Sequence, residues 1–213
     1  MMTKHWVGAL LLTLSVTGGS QLVADTAQAA VADDVRQAVS AHAGDIDGAA
    51  LSAELASIIA NSGNPATAAA EAIAALGDNA SPIALKAVAD AIESTPGISP
   101  DDFAAALGLV VADAGTGAEG ISANVIGVAK YFNASNRRTA GKGIAIAVNR
   151  LQGNPETVDT AARIVAQVEA SDIGELKDAY AEAMDELETS GLAAGGDNLL
   201  QQAQNTTSER SPN

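Results

Sequence analysis

Side chains that commonly carry catalysis are scarce in this sequence: there is no cysteine, and of its two histidines only His42 lies beyond the first few residues. Without a thiol, a second imidazole or a G-x-S-x-G elbow, a serine or cysteine hydrolase has almost no parts. No H-E-x-x-H or Cys/His spacing is present to hold zinc. Ala140-Gly141-Lys142-Gly143 lacks both the earlier glycine and the following Ser or Thr of a phosphate-binding loop. His42 follows Val31 by eleven residues, three helical turns along one stripe, which predicts a core-edge histidine. No cofactor is expected. Carboxylates are abundant, but no spacing selects two of them as the acid and base of a glycoside hydrolase.

One segment resembles a calcium loop in its pattern of oxygens. In Ala43 to Leu55, AGDIDGAALSAEL, Asp45 and Asp47 take the third and fifth places of an EF-hand loop, Gly48 the sixth and Glu54 the twelfth. Ala43 stands where an aspartate belongs, and Ala50 where a larger apolar residue seats the loop. If a helix has begun before Leu51, Asp47 becomes an ordinary N-cap.

Charge is distributed unevenly along the chain. Thirteen acidic and two basic residues lie between Val31 and Glu119, whereas Gly120 to Pro155 holds five basic residues and no acidic one. From Glu156 to Leu200 there are eleven acidic and two basic residues. The central basic island contains KYFNASNRRTAGKG, and its candidate anion-binding residues are Lys130, Tyr131, Arg137, Arg138 and Lys142. Arg137 and Arg138 follow Ser135-Asn136, a cap-like pair, so they are expected to open a helix. Positive charge there opposes the helix dipole by a few tenths to about 1 kcal/mol, and an anion would reverse the sign. A plainer reading exists: Glu175, Asp178, Glu182 and Asp185 form a carboxylate stripe at three- and four-residue steps, and that face could neutralise the island internally.

The elements that position these groups are all helical. Large apolar residues recur at three and four: Val31, Val35, Val39; Leu51, Leu55, Ile58, Ile59; Phe103, Leu107, Val110, Val111; Ile121, Val125, Val128, Phe132. Later stripes are Ile144, Val148, Leu151, then Val158, Ala162, Val165, then Leu176, Tyr180, Met184, Leu187. GNP recurs at Gly63 and Gly153 between stripes, where glycine ends one helix, asparagine caps the next and proline takes its first position. Gly77 with Ser81-Pro82 and Gly97 with Ser99-Pro100 repeat this punctuation. Prolines 65, 82 and 100 set a step of about 18 residues. The fold expected is all-α: eight or nine short, alanine-rich amphipathic helices in antiparallel hairpins, as a compact bundle or a short solenoid.

Residues 1–29 read as a secretory signal peptide, with Lys4 and His5, an apolar run from Trp6 to Val16 and Ala27-Gln28-Ala29 at its end. One helical domain, 30–193, should follow, then a disordered tail, 194–213. The product is expected to be soluble and exported, periplasmic or extracellular, with no membrane span. A net charge of -15 disfavours nucleic acid as a partner. These features point to an exported, non-catalytic binding or structural protein that meets an acidic protein or anionic polysaccharide through the basic island. A calcium-responsive structural module and a carboxylate-dependent hydrolase of cell-wall or matrix sugars are the alternatives.

Overall fold

A computed structural model describes the backbone of residues 19–190 and the side chains of 30–190. Most of the expected leader and all of the expected tail lie outside the described residues. The elements are α1 (Gly19–Ala41), α2 (Ala49–Asn61), α3 (Pro65–Ala74), α4 (Pro82–Ser94), α5 (Pro100–Asp113), a 3-10 turn (Gly115–Gly117), α6 (Ala118–Ala129), α7 (Ala134–Gln152), α8 (Val158–Ala170) and α9 (Gly174–Thr189). Nine α-helices and no strand are found among the described residues, as the apolar periodicity requires. α1 runs continuously through Ala30, where the mature chain was expected to begin.

Sequence left bundle and solenoid open, and the packing decides between them. Odd-numbered helices pack on odd ones in the order α1, α3, α5, α7, α9, and even ones in the order α2, α4, α6, α8. Nearly all extensive contacts join elements one or two places apart in the chain, the pairing of α3 with α6 excepted. Two layers of stacked hairpins are therefore built, the nearest-neighbour arrangement of a solenoid.

Short polar caps fix the corners. Asn64 accepts a hydrogen bond from Thr67 N at 3.2 Å, Ser81 from Ala84 N at 3.1 Å and Ser99 from Asp102 N at 3.3 Å, each followed by proline in the first turn. Gly77 and Gly97 take positive φ, 70° and 85°, but Gly63 and Gly153 do not. The helices before the two GNP segments therefore end without a left-handed glycine at Gly63 or Gly153. The second GNP also fails to open a helix: Asn154 Oδ1 accepts from Glu156 N at 2.9 Å, and α8 starts only at Val158. Thr157 intervenes, because its hydroxyl donates to Leu151 O at 2.7 Å and pins the chain to the end of α7. This delay also sets the phase of α8. Its buried apolar face is Ala161, Ile164 and Val168 rather than Val158, Ala162 and Val165, and Val158 is 44% exposed.

The core is lined with alanine and held by a few large residues. Phe103 and Phe132 meet edge to face with ring centroids 6.3 Å apart, and Leu55, Ile59, Leu107, Ile144, Ile164 and Leu176 are fully buried. α7 packs closely on both of its neighbours in the odd layer, α5 and α9. Glycines of α7 and Gly108 of α5 make this approach possible. A Cβ on Gly143 would stand 2.7 Å from Leu107 Cβ and 3.1 Å from Ala104 O, and one on Gly108 would stand 2.5 Å from Ile146 Cγ2. On the other flank, a Cβ on Gly141 would collide with the Leu176 carbonyl oxygen. Ala140-Gly141-Lys142-Gly143 is therefore a close-packing face of α7.

Candidate functional site

The basic island begins where α6 ends. Asn133, not the Ser135-Asn136 pair, caps α7 by accepting from Asn136 N at 3.0 Å, so Arg137 and Arg138 sit at the end of its first turn. Arg137 reaches back: its Nε donates to Ala129 O and its Nη2 to Lys130 O, both at 3.3 Å. The guanidinium thereby meets the negative C-terminal end of α6, which offsets its unfavourable position on α7. It also lies 3.5 Å from Glu175 of α9. Arg138 is paired with Glu182, about two helical turns beyond Glu175 along α9. Glu93 of α4 closes the third side, accepting from Asn133 N at 2.6 Å and from Asn136 Nδ2 at 3.4 Å.

This arrangement corrects the expectation of one open basic island. Two of its five members, Arg137 and Arg138, are held by the protein's own carboxylates, Glu175 and Glu182, both from the acidic stripe on α9. Lys142 lies half-buried in a groove of about 380 Å3 between α5, α7 and α9, whose lining includes Asp101 and Glu186. Only Lys130 and Tyr131 face water together. Lys130 is exposed with no ion pair among the described residues, and Tyr131 is 38% exposed.

Lys130 stands on the lining of a separate groove, about 530 Å3, between α6 and the end of α8. Ala123 and Ile126 of α6 form one wall, and Gln167, Ser171 and Asp172 the other. Gln167 Oε1 and Ser171 Oγ are buried without a hydrogen-bond partner among the described residues, although Gln167 Nε2 donates to Glu119 O at 3.4 Å. Nothing in the sequence singled out these residues, since Gln167 and Ser171 belong to no motif and α6 and α8 are far apart along the chain.

The calcium-like segment has a different organisation. Gly48 adopts a left-handed conformation, φ 72°, as the N-cap of α2, and Asp47 Oδ1 accepts from Ala49 N at 3.1 Å. Asp45 and Glu54 flank His42, with Nδ1 3.1 Å from Asp45 Oδ2 and Nε2 2.7 Å from Glu54 Oε2. No group of three His, Cys, Asp or Glu side chains that could hold a metal ion occurs among the described residues. His42 is half-buried just past the end of α1, and its hydrogen bond to Glu54 raises its pKa above the ordinary 6.5, against partial desolvation and with help from the charge of Asp45.

Among the described residues no single helix is long and apolar enough to cross a membrane; α5 with Gly115–Ala129 passes by composition only as a pair bent by 112°. Comparison of the chain with protein-family models, with curated proteins and with solved structures gave no match.

Proposed function

We propose that this chain is an exported, non-catalytic helical module that acts by binding, and that it meets an acidic protein or an anionic glycan at the corner of α6 bearing Lys130 and Tyr131. The observation that carries the reading is the difference between the cations of the island. Arg137 and Arg138 are occupied by Glu175 and Glu182, whereas Lys130 is exposed, without an ion pair among the described residues, and next to an exposed aromatic ring. Screening over roughly 8 Å at physiological ionic strength lets such a corner act locally despite the acidic whole.

Retention on immobilised polyuronate, measured against salt, tests the reading. Lys130→Glu should elute at lower salt than the wild type, while Arg36→Glu, the same charge change on α1, should elute with the wild type after correction for net charge. Equal elution of the two variants, or no wild-type retention at low salt, refutes it.

A further inference from the structure

We infer that His42, Asp45 and Glu54 form a pH-operated clasp on the first corner of the solenoid: the imidazolium holds the α1–α2 loop closed, and loss of its proton releases Asp45 and the loop tip at Ile46. This device is independent of the binding reading above.

The clasp joins three successive stretches of chain, because His42 follows α1, Asp45 lies in the loop and Glu54 belongs to α2. Nε2 of His42 stands 2.7 Å from Glu54 Oε2, and Nδ1 stands 3.1 Å from Asp45 Oδ2. A neutral imidazole has one N–H and one lone pair, whereas the imidazolium has two N–H groups; ionised carboxylates only accept. Both oxygens are therefore served at once by the protonated ring alone. A neutral ring sets its lone pair against one of them.

Geometry identifies which carboxylate lets go. Nε2–H has the shorter contact, a hydrogen bond to Glu54, so the neutral ring keeps that bond and turns its Nδ1 lone pair to Asp45. Asp45 Oδ2 is buried and makes no hydrogen bond of good geometry among the described residues, so the imidazolium charge beside it is what balances it. A buried carboxylate oxygen without that charge is unfavourable, and a surface loop can move to hydrate it. Little opposes the movement. Ile46 is 93% exposed and adds no packing, and the fixed points beyond it, Asp47 Oδ1 on Ala49 N and the left-handed Gly48, belong to the start of α2.

The other charged groups on the surrounding helices are engaged elsewhere. Arg36 of α1 pairs with Asp33, and Asp34 lines a groove beside Ser57 and Asn61, about two turns before His42. Glu54 is the ionisable residue of α2, and Glu71, that of α3, is buried in the core. On α4, Lys86 pairs with Asp90, and Glu93 accepts from Asn133 N. The hydrogen bond to Glu54 and the charge of Asp45 hold the folded pKa of His42 above 6.5. The clasp is thus closed below that value and opens as pH rises through the folded one.

NMR of the full chain between about pH 5 and pH 9 tests this, following the His42 ring nitrogens together with the backbone order of the loop. His5, the second histidine, is recognised by its persistence in His42→Gln. Below the midpoint both ring nitrogens of His42 should carry protons; above it Nε2 should keep its proton and Nδ1 lose it. The heteronuclear NOE of Gly44, Asp45 and Ile46 should fall with the same midpoint. Asp45→Asn offers the neutral ring an amide N–H to accept at Nδ1, so loop order in this variant should stay level although His42 still titrates. Glu54→Gln should lower the midpoint and carry the loop transition with it. Loop order that stays level through the wild-type midpoint, or that falls equally in wild type and Asp45→Asn, overturns the clasp. So does a midpoint at or below 6.5, or a neutral ring protonated at Nδ1. The wild-type profile decides the outcome by itself if either variant fails to fold.

Discussion

Replacing Gly141 by alanine probes the close packing of α7 on α9. The new Cβ would overlap the Leu176 carbonyl oxygen and stand 3.1 Å from both the Leu176 carbonyl carbon and the Tyr180 nitrogen. All three atoms are backbone, so no rotamer change relieves the overlap, and α7 and α9 must separate. Overpacking of this kind costs about 1–3 kcal/mol, and a backbone clash belongs at the upper end. Alanine recovers about 1 kcal/mol of helix propensity over glycine. The net loss is therefore about 2 kcal/mol, or roughly 4–8 °C in melting temperature for a chain of this size. Gly174→Ala is the matched control, because a Cβ there meets nothing within 4 Å at the start of α9. Thermal and urea unfolding followed by helical circular dichroism measure both. A Gly141→Ala protein that melts at or above the wild type would falsify the close-packing role of α7.

Three further outcomes follow from the geometry. Arg137→Ala should lower stability by about 1–2 kcal/mol, since it loses two carbonyl hydrogen bonds as well as Glu175, whereas Arg138→Ala removes an exposed pair worth about 0–1 kcal/mol; equal urea midpoints for the two variants contradict this ranking. His42 has a folded pKa raised above 6.5 by Glu54 and Asp45, so its contribution is fully present below that unfolded value and is lost as pH rises through the folded one. Urea unfolding of the wild type between about pH 5 and pH 9 should show that decline, His42→Gln should remove it, and parallel profiles for the two proteins would rule it out. Asn64→Ala should cost about 1 kcal/mol as a lost helix cap, whereas Asn154→Ala, in an exposed turn outside α8, should stay within about 0.5 kcal/mol; the same denaturation assay checks the difference.

The two GNP segments show where local reading succeeds and where it stops. Asn64 caps α3 as its neighbours demand, because the bond to Thr67 N lies within a single turn. At Asn154 the same residues give an Asx turn, since the Thr157 hydroxyl donates to Leu151 O instead. The stripes on α5, α6 and α7 were legible for the reason that burial of Phe103, Val125 and Ile144 follows from their own helix period. On α8 the buried face is Thr160, Ala161, Ile164 and Val168 rather than the stripe of Val158, Ala162 and Val165, and that depends on what the helix packs against.

What the sequence alone determined is a chain of short, alanine-rich helices, its core aromatic Phe132 and its uneven charge, all properties of residues near one another along the chain. Whether the central cations were open was decided only by tertiary structure, because Glu93, Glu175 and Glu182 reach the start of α7 from helices about 40 residues away on either side. The same holds for the groove beside Lys130. Its second wall comes from the end of α8, and no one-dimensional pattern records that stacking hairpins brings Gln167 and Ser171 beside α6.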